Sequence, residues 1–385
     1  MPAVYLDCAA TTPLEARVRD EMLRYLDRDF GNAGSRTHDF GAQAWRAVER
    51  ARDRVAAVAG VSRGDVVFTS GATESNNLAI LGLARHGEAT GRRHIVSTRI
   101  EHHAVLEPLR VLRRRGFEVD LIAPNQHGVV RAADVMQAIR RETLLVSVMH
   151  VNNETGMRQP IAEVADALDA SDVVFHVDAA QSFGREIDPL RHPRIDLISA
   201  SGHKIFGPKG IGALIVRRRQ GGRPRLEPLM HGGGQERGLR PGTLPVHQIV
   251  GFGTAAEIAL QDAASRAARC GEFRERLLAG LRPLGAVING DPGNAVPHIV
   301  NLAIPGLDGE AVIELWRECV AISQGAACTS QSYTCSHVLG AMAVPSWQQD
   351  GAIRLSWCHL TPMPDLDAMV AAAQATDRSI GSASR

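Results

Sequence analysis

Between about residues 66 and 216 the chain alternates short apolar runs with amphipathic stretches of helical period, and this alternation limits the possible folds more than any other feature. The runs are Val66-Val67-Phe68-Thr69-Ser70, Ile95-Val96-Ser97-Thr98, Leu144-Leu145-Val146-Ser147-Val148-Met149, Val173-Val174-Phe175-His176-Val177, Ile195-Asp196-Leu197-Ile198-Ser199-Ala200-Ser201 and Gly212-Ala213-Leu214-Ile215-Val216. Each has the length of a strand, and a run such as 144–149 suits a strand buried on both faces. Between them, residues such as Val105, Leu109 and Leu112 recur at the spacing of a helix that packs on a core, as Val18, Met22 and Leu26 do after Pro13, which should open that earlier helix. Asp308 to Val320 reads as another helix, and the basic stretch Arg217 to Arg225, with Gly and Pro inside it, as a solvated loop. Strands joined through helices give a mostly parallel sheet covered on both faces, which binds ligands at the carboxyl ends of its strands. The expected fold is therefore α/β, with a large doubly wound domain.

The whole chain has 385 residues, enough for that domain and a smaller α+β one. Its 43 basic and 42 acidic side chains are interspersed, so no basic stripe favours nucleic acid or an acidic membrane surface. No apolar run reaches the roughly 18 residues of a membrane span, and Met1 to Asp7 lack the pattern of a secretion signal. Six cysteines without a CxxC pair fit neither a disulfide framework nor a zinc knuckle. The expectation is a soluble, cytoplasmic protein with reduced thiols, no bound metal, no membrane contact and no direct nucleic-acid binding.

Chemistry-bearing residues cluster where the strands should end. Lys204, in Ser201-Gly202-His203-Lys204, falls on a tight turn between two buried strands. Desolvation there lowers the cost of losing its proton, which is how a lysine comes to attack a carbonyl and form a Schiff base. Asp178 closes a buried strand and is followed by Ala179-Ala180-Gln181. An acid so placed can pair with a protonated heterocycle, as the ring nitrogen of pyridoxal phosphate requires, and it equally fits a helix N-cap. Gly71-Ala72-Thr73 turns a strand into a helix, where backbone N–H groups and the Thr73 hydroxyl offer either a phosphate seat or a simple cap. Glu101-His102-His103 opens the next helix; Asn152-Asn153-Glu154 follows a strand; Ile353-Arg354-Leu355 presents an arginine fork that suits a carboxylate or a surface ion pair. Around Cys328 the residues are small and polar, an unusual setting for a residue type that is normally buried.

The segments His176-Val177-Asp178-Ala179-Ala180-Gln181 and Ser201-Gly202-His203-Lys204 resemble the class V aminotransferases, specifically the cysteine desulfurases. The resemblance runs from about Tyr5 to about Ser356 through Leu6-Asp7-Cys8-Ala9-Ala10-Thr11-Thr12, Gly71-Ala72-Thr73-Glu74-Ser75-Asn76-Asn77, His231 to Thr243, and the loop around Cys328. That loop is similar to the Ser-Gly-Ser-Ala-Cys-Thr-Ser loop of the iron–sulfur-assembly type, with Gln324 and Ala326 as departures; elsewhere Ala33 and Pro241 stand where proline and serine are usual. The resemblance implies an aspartate-aminotransferase-like fold of type I, with a large domain at 13–262 and a small domain of 1–12 and 263–385 that carries the cysteine loop.

It also implies pyridoxal 5'-phosphate as cofactor and the conversion of L-cysteine to L-alanine, with a persulfide on Cys328 that is handed to a protein acceptor. Lys204 would hold the cofactor and move protons. Asp178 would keep its ring nitrogen protonated, Gln181 and His102 would tune and cover the ring, and Ala72, Thr73, Ser201, His203 and Thr243 would bind its phosphate. Thr243 would do so in the other subunit of a homodimer. Asn153 and Arg354 would hold the substrate carboxylate, with Asn153 also near the cofactor. The alternatives are a selenocysteine lyase, another class V reaction, or a sulfur-carrier scaffold without chemistry. The acceptor is expected to serve iron–sulfur cluster assembly or DNA phosphorothioation, the latter suggested by Gln331-Ser332-Tyr333-Thr334-Cys335-Ser336-His337. Cys335 reads as a local packing residue, and Cys8, Cys270, Cys319 and Cys358 as structural.

Overall fold

In the computed structural model the protein is described over residues 3–219, 222–324 and 336–382, with side chains to residue 375. The strands are β1 (Val4–Tyr5), β2 (Val66–Thr69), β3 (His94–Thr98), β4 (Glu118–Ile122), β5 (Thr143–Met149), β6 (Val174–Asp178), β7 (Leu197–Ser201), β8 (Gly212–Val216), β9 (Val287–Ile288), β10 (Ile299–Ala303), β11 (Val320–Ala321) and β12 (Ala352–Ser356). Seven of them form one sheet in the order β2-β8-β7-β6-β5-β3-β4. Strand β8 runs antiparallel to both of its neighbours, and the remaining pairs are parallel. Thus β2, β3, β5, β6 and β7 all end at one edge.

Alternation along these strands feeds two apolar layers. Val66, Phe68, Ile198, Ala200, Ala213 and Ile215 pack into a core with helices Ala16–Asp27 and Asp39–Ala59 and the first half of Val246–Leu281. Val67, Leu197, Leu214 and Val216 face the opposite way, onto helices Ala72–Leu81 and His103–Arg114. A further core gathers Leu6, Cys270, Phe273, Leu277, Leu302, Trp316, Leu355 and Trp357. The helix Val246–Leu281 therefore has its first half in one core and its second in another.

Three sequence expectations change. Pro13 lies before the first helix, which starts at Ala16, and Tyr25 rather than Leu26 completes the inward face with Val18 and Met22; Leu26 is exposed. The stretch expected to be helical from Asp308 to Val320 is a helix only over Gly309–Trp316, because Val320 pairs with Val4 in a small parallel sheet. Arg217, read as part of a solvated loop, is buried and donates to the carbonyl oxygens of Ala59, Leu190 and Ile195. The chain has folded over those orphan carbonyls, and the guanidinium supplies their donors.

Candidate active site

A cavity of about 460 Å³ opens at the sheet edge where the parallel strands end. Ala72, Thr73, His102, Asn153, Asp178, Gln181, Ser201, His203, Lys204 and Arg354 all line it. Residues far apart in sequence meet because all but Arg354, which lies within β12 of the three-stranded sheet β12-β10-β9, follow or close a strand that ends there. Thr243 is exposed and is not among the lining residues. Cys328 and Cys335 lie outside the described residues.

On one side, β2 passes into helix Ala72–Leu81 through Gly71, whose φ of 153° and ψ of −178° are open essentially to glycine alone. Strand β8 begins at Gly212, where an added Cβ would fall 2.3 Å from the Ala200 carbonyl oxygen and 2.6 Å from the Gly71 Cα. The missing side chains let two backbones meet at the helix start and leave its N–H groups facing the cavity. Ser201 and His203 stand beside them; His203 Nδ1 lies 3.1 Å from Thr11 Oγ1, and burial pushes the imidazole down to about 4, helped by Lys204 and Lys209.

Deeper in, Asp178 ends β6 with 4% of its surface exposed. Its Oδ2 accepts from Asn76 Nδ2 at 2.7 Å and its Oδ1 from the Ala180 N–H at 2.9 Å. Both donors are neutral, and among the described residues Asp178 has no ion pair. A buried carboxyl group held only by neutral dipoles leaves room for a cationic partner. Lys204 sits on the 3₁₀ turn Gly202–Lys204, its Nζ donating to the carbonyl oxygens of Ala9 and Ala10. Arg185 holds the same turn from behind, donating to the Lys204 carbonyl oxygen from Nη2 at 2.9 Å.

His102 is the N-cap of helix His103–Arg114, its Nδ1 accepting from the Ala104 N–H at 3.0 Å. The capping and cavity-lining roles therefore coexist in one side chain. Burial holds its imidazole below the ordinary range, Asp178 opposes the shift and Lys204 adds to it. In the neutral ring the proton belongs on Nε2, since Nδ1 is an acceptor. Gln181 donates from Nε2 to the Ala9 carbonyl oxygen at 2.9 Å. Arg354, 1% exposed, donates from Nη1 to the Asn153 carbonyl oxygen at 3.0 Å and from Nη2 to Asp7 Oδ1 at 2.6 Å.

Sequence reasoning assigned no role to Asn76, Asp7, Asn152 or the Ala9 and Ala10 carbonyls. Asn76 lies one helical turn after Thr73, a spacing that puts the two on one face and signals a shared site. Asn152 accepts at Oδ1 from the Glu154 and Thr155 N–H groups and donates to the Ile100 carbonyl oxygen, so it shapes the turn that presents Asn153. Among the described residues no cluster of potential metal ligands occurs.

The family model of the class V aminotransferases matches residues 4–369. The cysteine desulfurase IscS of Klebsiella pneumoniae (strain 342) is 45% identical over 367 residues, which are 94% of this chain and 90% of that protein. A solved NifS-like protein gives a TM-score of 0.87 at 34% identity, covering 98% of this chain and 99% of the other. The crystal structure of DndA from Streptomyces lividans gives a TM-score of 0.81 at 48% identity, covering 92% of this chain and 99% of the other. With the site residues on the strand ends described above, the chain belongs to the class V aminotransferase family and, within it, to the cysteine desulfurases.

Proposed function

We propose that this desulfurase works with pyridoxal 5'-phosphate, converts L-cysteine to L-alanine, and passes the sulfur as a persulfide of Cys328 to a protein acceptor. The observation that carries this reading is the cavity in which Lys204, Asp178, His102 and Arg354 converge. The residues present fit the cofactor. Asp178, buried and held by neutral donors, suits a protonated ring nitrogen, and the glycine-lined start of helix Ala72–Leu81 suits a phosphate. Ala72, Thr73, Ser201 and His203 would hold that phosphate together with Thr243 of the partner subunit.

When bound, the cofactor supplies an electron sink for bonds made and broken beside the amino acid's α-carbon. Lys204 Nζ would hold it covalently and would carry protons. Asp178 would keep the ring nitrogen protonated, and the neutral His102 ring would cover the cofactor and offer its Nε2 proton. Gln181, which donates to the Ala9 carbonyl oxygen, would fix that turn and tune the ring. Arg354 and Asn153 orient the carboxylate of the amino acid. Cys328, outside the described residues, takes up the sulfur.

The active unit on this reading is a homodimer. Its support is the apolar surface of Phe30, Phe40 and Trp45, which are 67%, 52% and 54% exposed and suit a face covered by a second copy. The division into a domain of 13–262 and one of 1–12 with 263–385 is supported by the separate core around Trp316 and Trp357, although Val338, Leu339 and Met342 pack with the larger core. Cys8, Cys270, Cys319 and Cys358 are free thiols, which favours a reducing compartment, the cytoplasm. The acceptor serves iron–sulfur cluster assembly or DNA phosphorothioation. Among the described residues no helix is long and apolar enough to cross a membrane.

The test is chemical. The purified protein should be yellow and, with a thiol reductant present to reduce the Cys328 persulfide and itself become a disulfide, release alanine and sulfide in equal amounts from L-cysteine, and borohydride should fix the cofactor on Lys204. Lys204→Ala should lose both the fixed label and turnover. A label found on Lys209, or keto-acid in place of alanine, would overturn the reading.

A further inference from the structure

The arginine assigned to the substrate carboxylate already has an anion behind it. Arg354 lines the cavity, but Asp7 does not. Asp7 Oδ1 accepts from Arg354 Nη2 at 2.6 Å and from Ser323 Oγ at 3.1 Å, and Ser323 Oγ in turn accepts from Nη2 at 2.9 Å. With Nη1 on the Asn153 carbonyl oxygen, the fork is held in one orientation. The side chain of Arg354 is 2% exposed and that of Asp7 19% exposed, so the pair is largely shielded from water.

We propose that Asp7 is a positioning residue that sets how tightly this site holds a carboxylate, by sharing the Arg354 guanidinium with it from behind. The proposal rests on the reading that Arg354 takes the α-carboxylate of the amino acid. Two physical effects follow from the placement. A guanidinium buried without a counter-charge is costly, and Asp7 removes that cost before any substrate arrives. The same negative charge weakens the pull of the guanidinium on a second anion. Alanine, the product, carries the same carboxylate as cysteine, and a site that gripped it with an uncompensated cation would release it slowly. Asp7 therefore trades carboxylate affinity for product release while keeping the fork aimed.

Binding of L-alanine and of L-alaninamide to the holoenzyme, measured by calorimetry, separates the charge from the scaffold. Neither is desulfurated, and they differ in the carboxylate alone. Asp7→Asn keeps an oxygen acceptor for Nη2 and Ser323 but drops the charge. It should raise the preference for alanine over the amide by about fivefold to tenfold, the size of one partly screened charge contact. A general loosening of the site would weaken both ligands alike and leave the ratio unchanged. Asp7→Ser, a smaller neutral acceptor, reads the same loss of charge if the asparagine form does not fold, and Asp7→Glu should stay near the wild-type ratio. Arg354→Ala should abolish the preference. If it does not, the assignment of Arg354 falls and this inference with it. If Arg354→Ala abolishes the preference and Asp7→Asn leaves it unchanged or lowers it, only the role given to Asp7 is overturned.

Discussion

Glu101 has no exposed surface, and burial raises its carboxyl to about 8, with Asp178 adding to the rise. Its Oε1 accepts from Thr98 Oγ1 at 2.8 Å and from the Met149 N–H at 2.9 Å, so it ties the ends of β3 and β5 together beside His102. In the unfolded chain the group ionises near 4.5. Above that value the folded protein keeps a proton the unfolded chain has lost. The stability it contributes is thus full below about 4.5 and drains away as pH rises through about 8. His176, pushed down to about 3 by burial between Ser147 Oγ and Ser199 Oγ, acts in the opposite sense: its contribution is full above 6.5 and is lost as pH falls toward 3. Glu101→Gln cannot ionise and keeps an acceptor for both donors. Its unfolding free energy should fall less than that of wild type between pH 5 and pH 8, by on the order of 4 kcal/mol at the upper end. Denaturant titrations at the two pH values check this, and parallel curves for the two proteins would refute it.

At the scale of elements, the turn Gln235–Gly238 shows how an unfavourable backbone is maintained. Glu236 and Arg237 have φ of 48° and 59°, a region that ordinary side chains enter at a cost. Glu236 is buried and takes both Nη atoms of Arg52, at 2.6 and 2.7 Å, together with the Phe68 N–H at 2.7 Å. Arg237 donates to the Val66 carbonyl oxygen at 2.8 Å, so the turn is fastened to strand β2. Glu236→Ala would leave the buried Arg52 with Glu49 as its remaining carboxylate and the Phe68 N–H without its acceptor, and should cost roughly 2–4 kcal/mol of stability. A denaturant midpoint close to wild type would argue against that. Much of the site was legible because its residues follow strands whose apolar runs are contiguous: Asp178, Lys204, Thr73 and His102 all sit just beyond such runs. Asp7 was not, because its partner lies 347 residues away and no local pattern encodes such a pairing; the spacing of Asn76 from Thr73 signals the site, but not its bond to Asp178, 102 residues away. Tyr25 displaced Leu26 for a similar reason, since helical spacing alone does not fix the edge of an apolar face when neighbouring positions are both apolar.

For the whole molecule, the proposed sharing of Thr243 between subunits makes a specific demand on a twofold dimer. Lys204→Ala and Thr243→Ala homodimers should each be inactive or nearly so. In a verified mixed dimer one site carries both lesions and the other neither, so about half of the wild-type activity per dimer should return. Failure to recover activity would count against a shared site. The pairing of Val4 with Val320, the bridge between Asp7 and Ser356, and the bond from the Cys8 N–H to the Ser356 carbonyl oxygen join the first strand and the residues just after it to β11 and β12. The segment that receives the Lys204 ammonium and the Arg354 fork is thus anchored on residues near 320–356. The turn at Ala9 and Ala10 is tied to the large sheet by Gln181 and Lys204, but its second anchor, at Ser356, becomes available only once β12 has been synthesised. A nascent chain that ends before β12 therefore lacks both Arg354 and the second anchor of this turn, and on the proposed reading its competence arrives with the last segments translated.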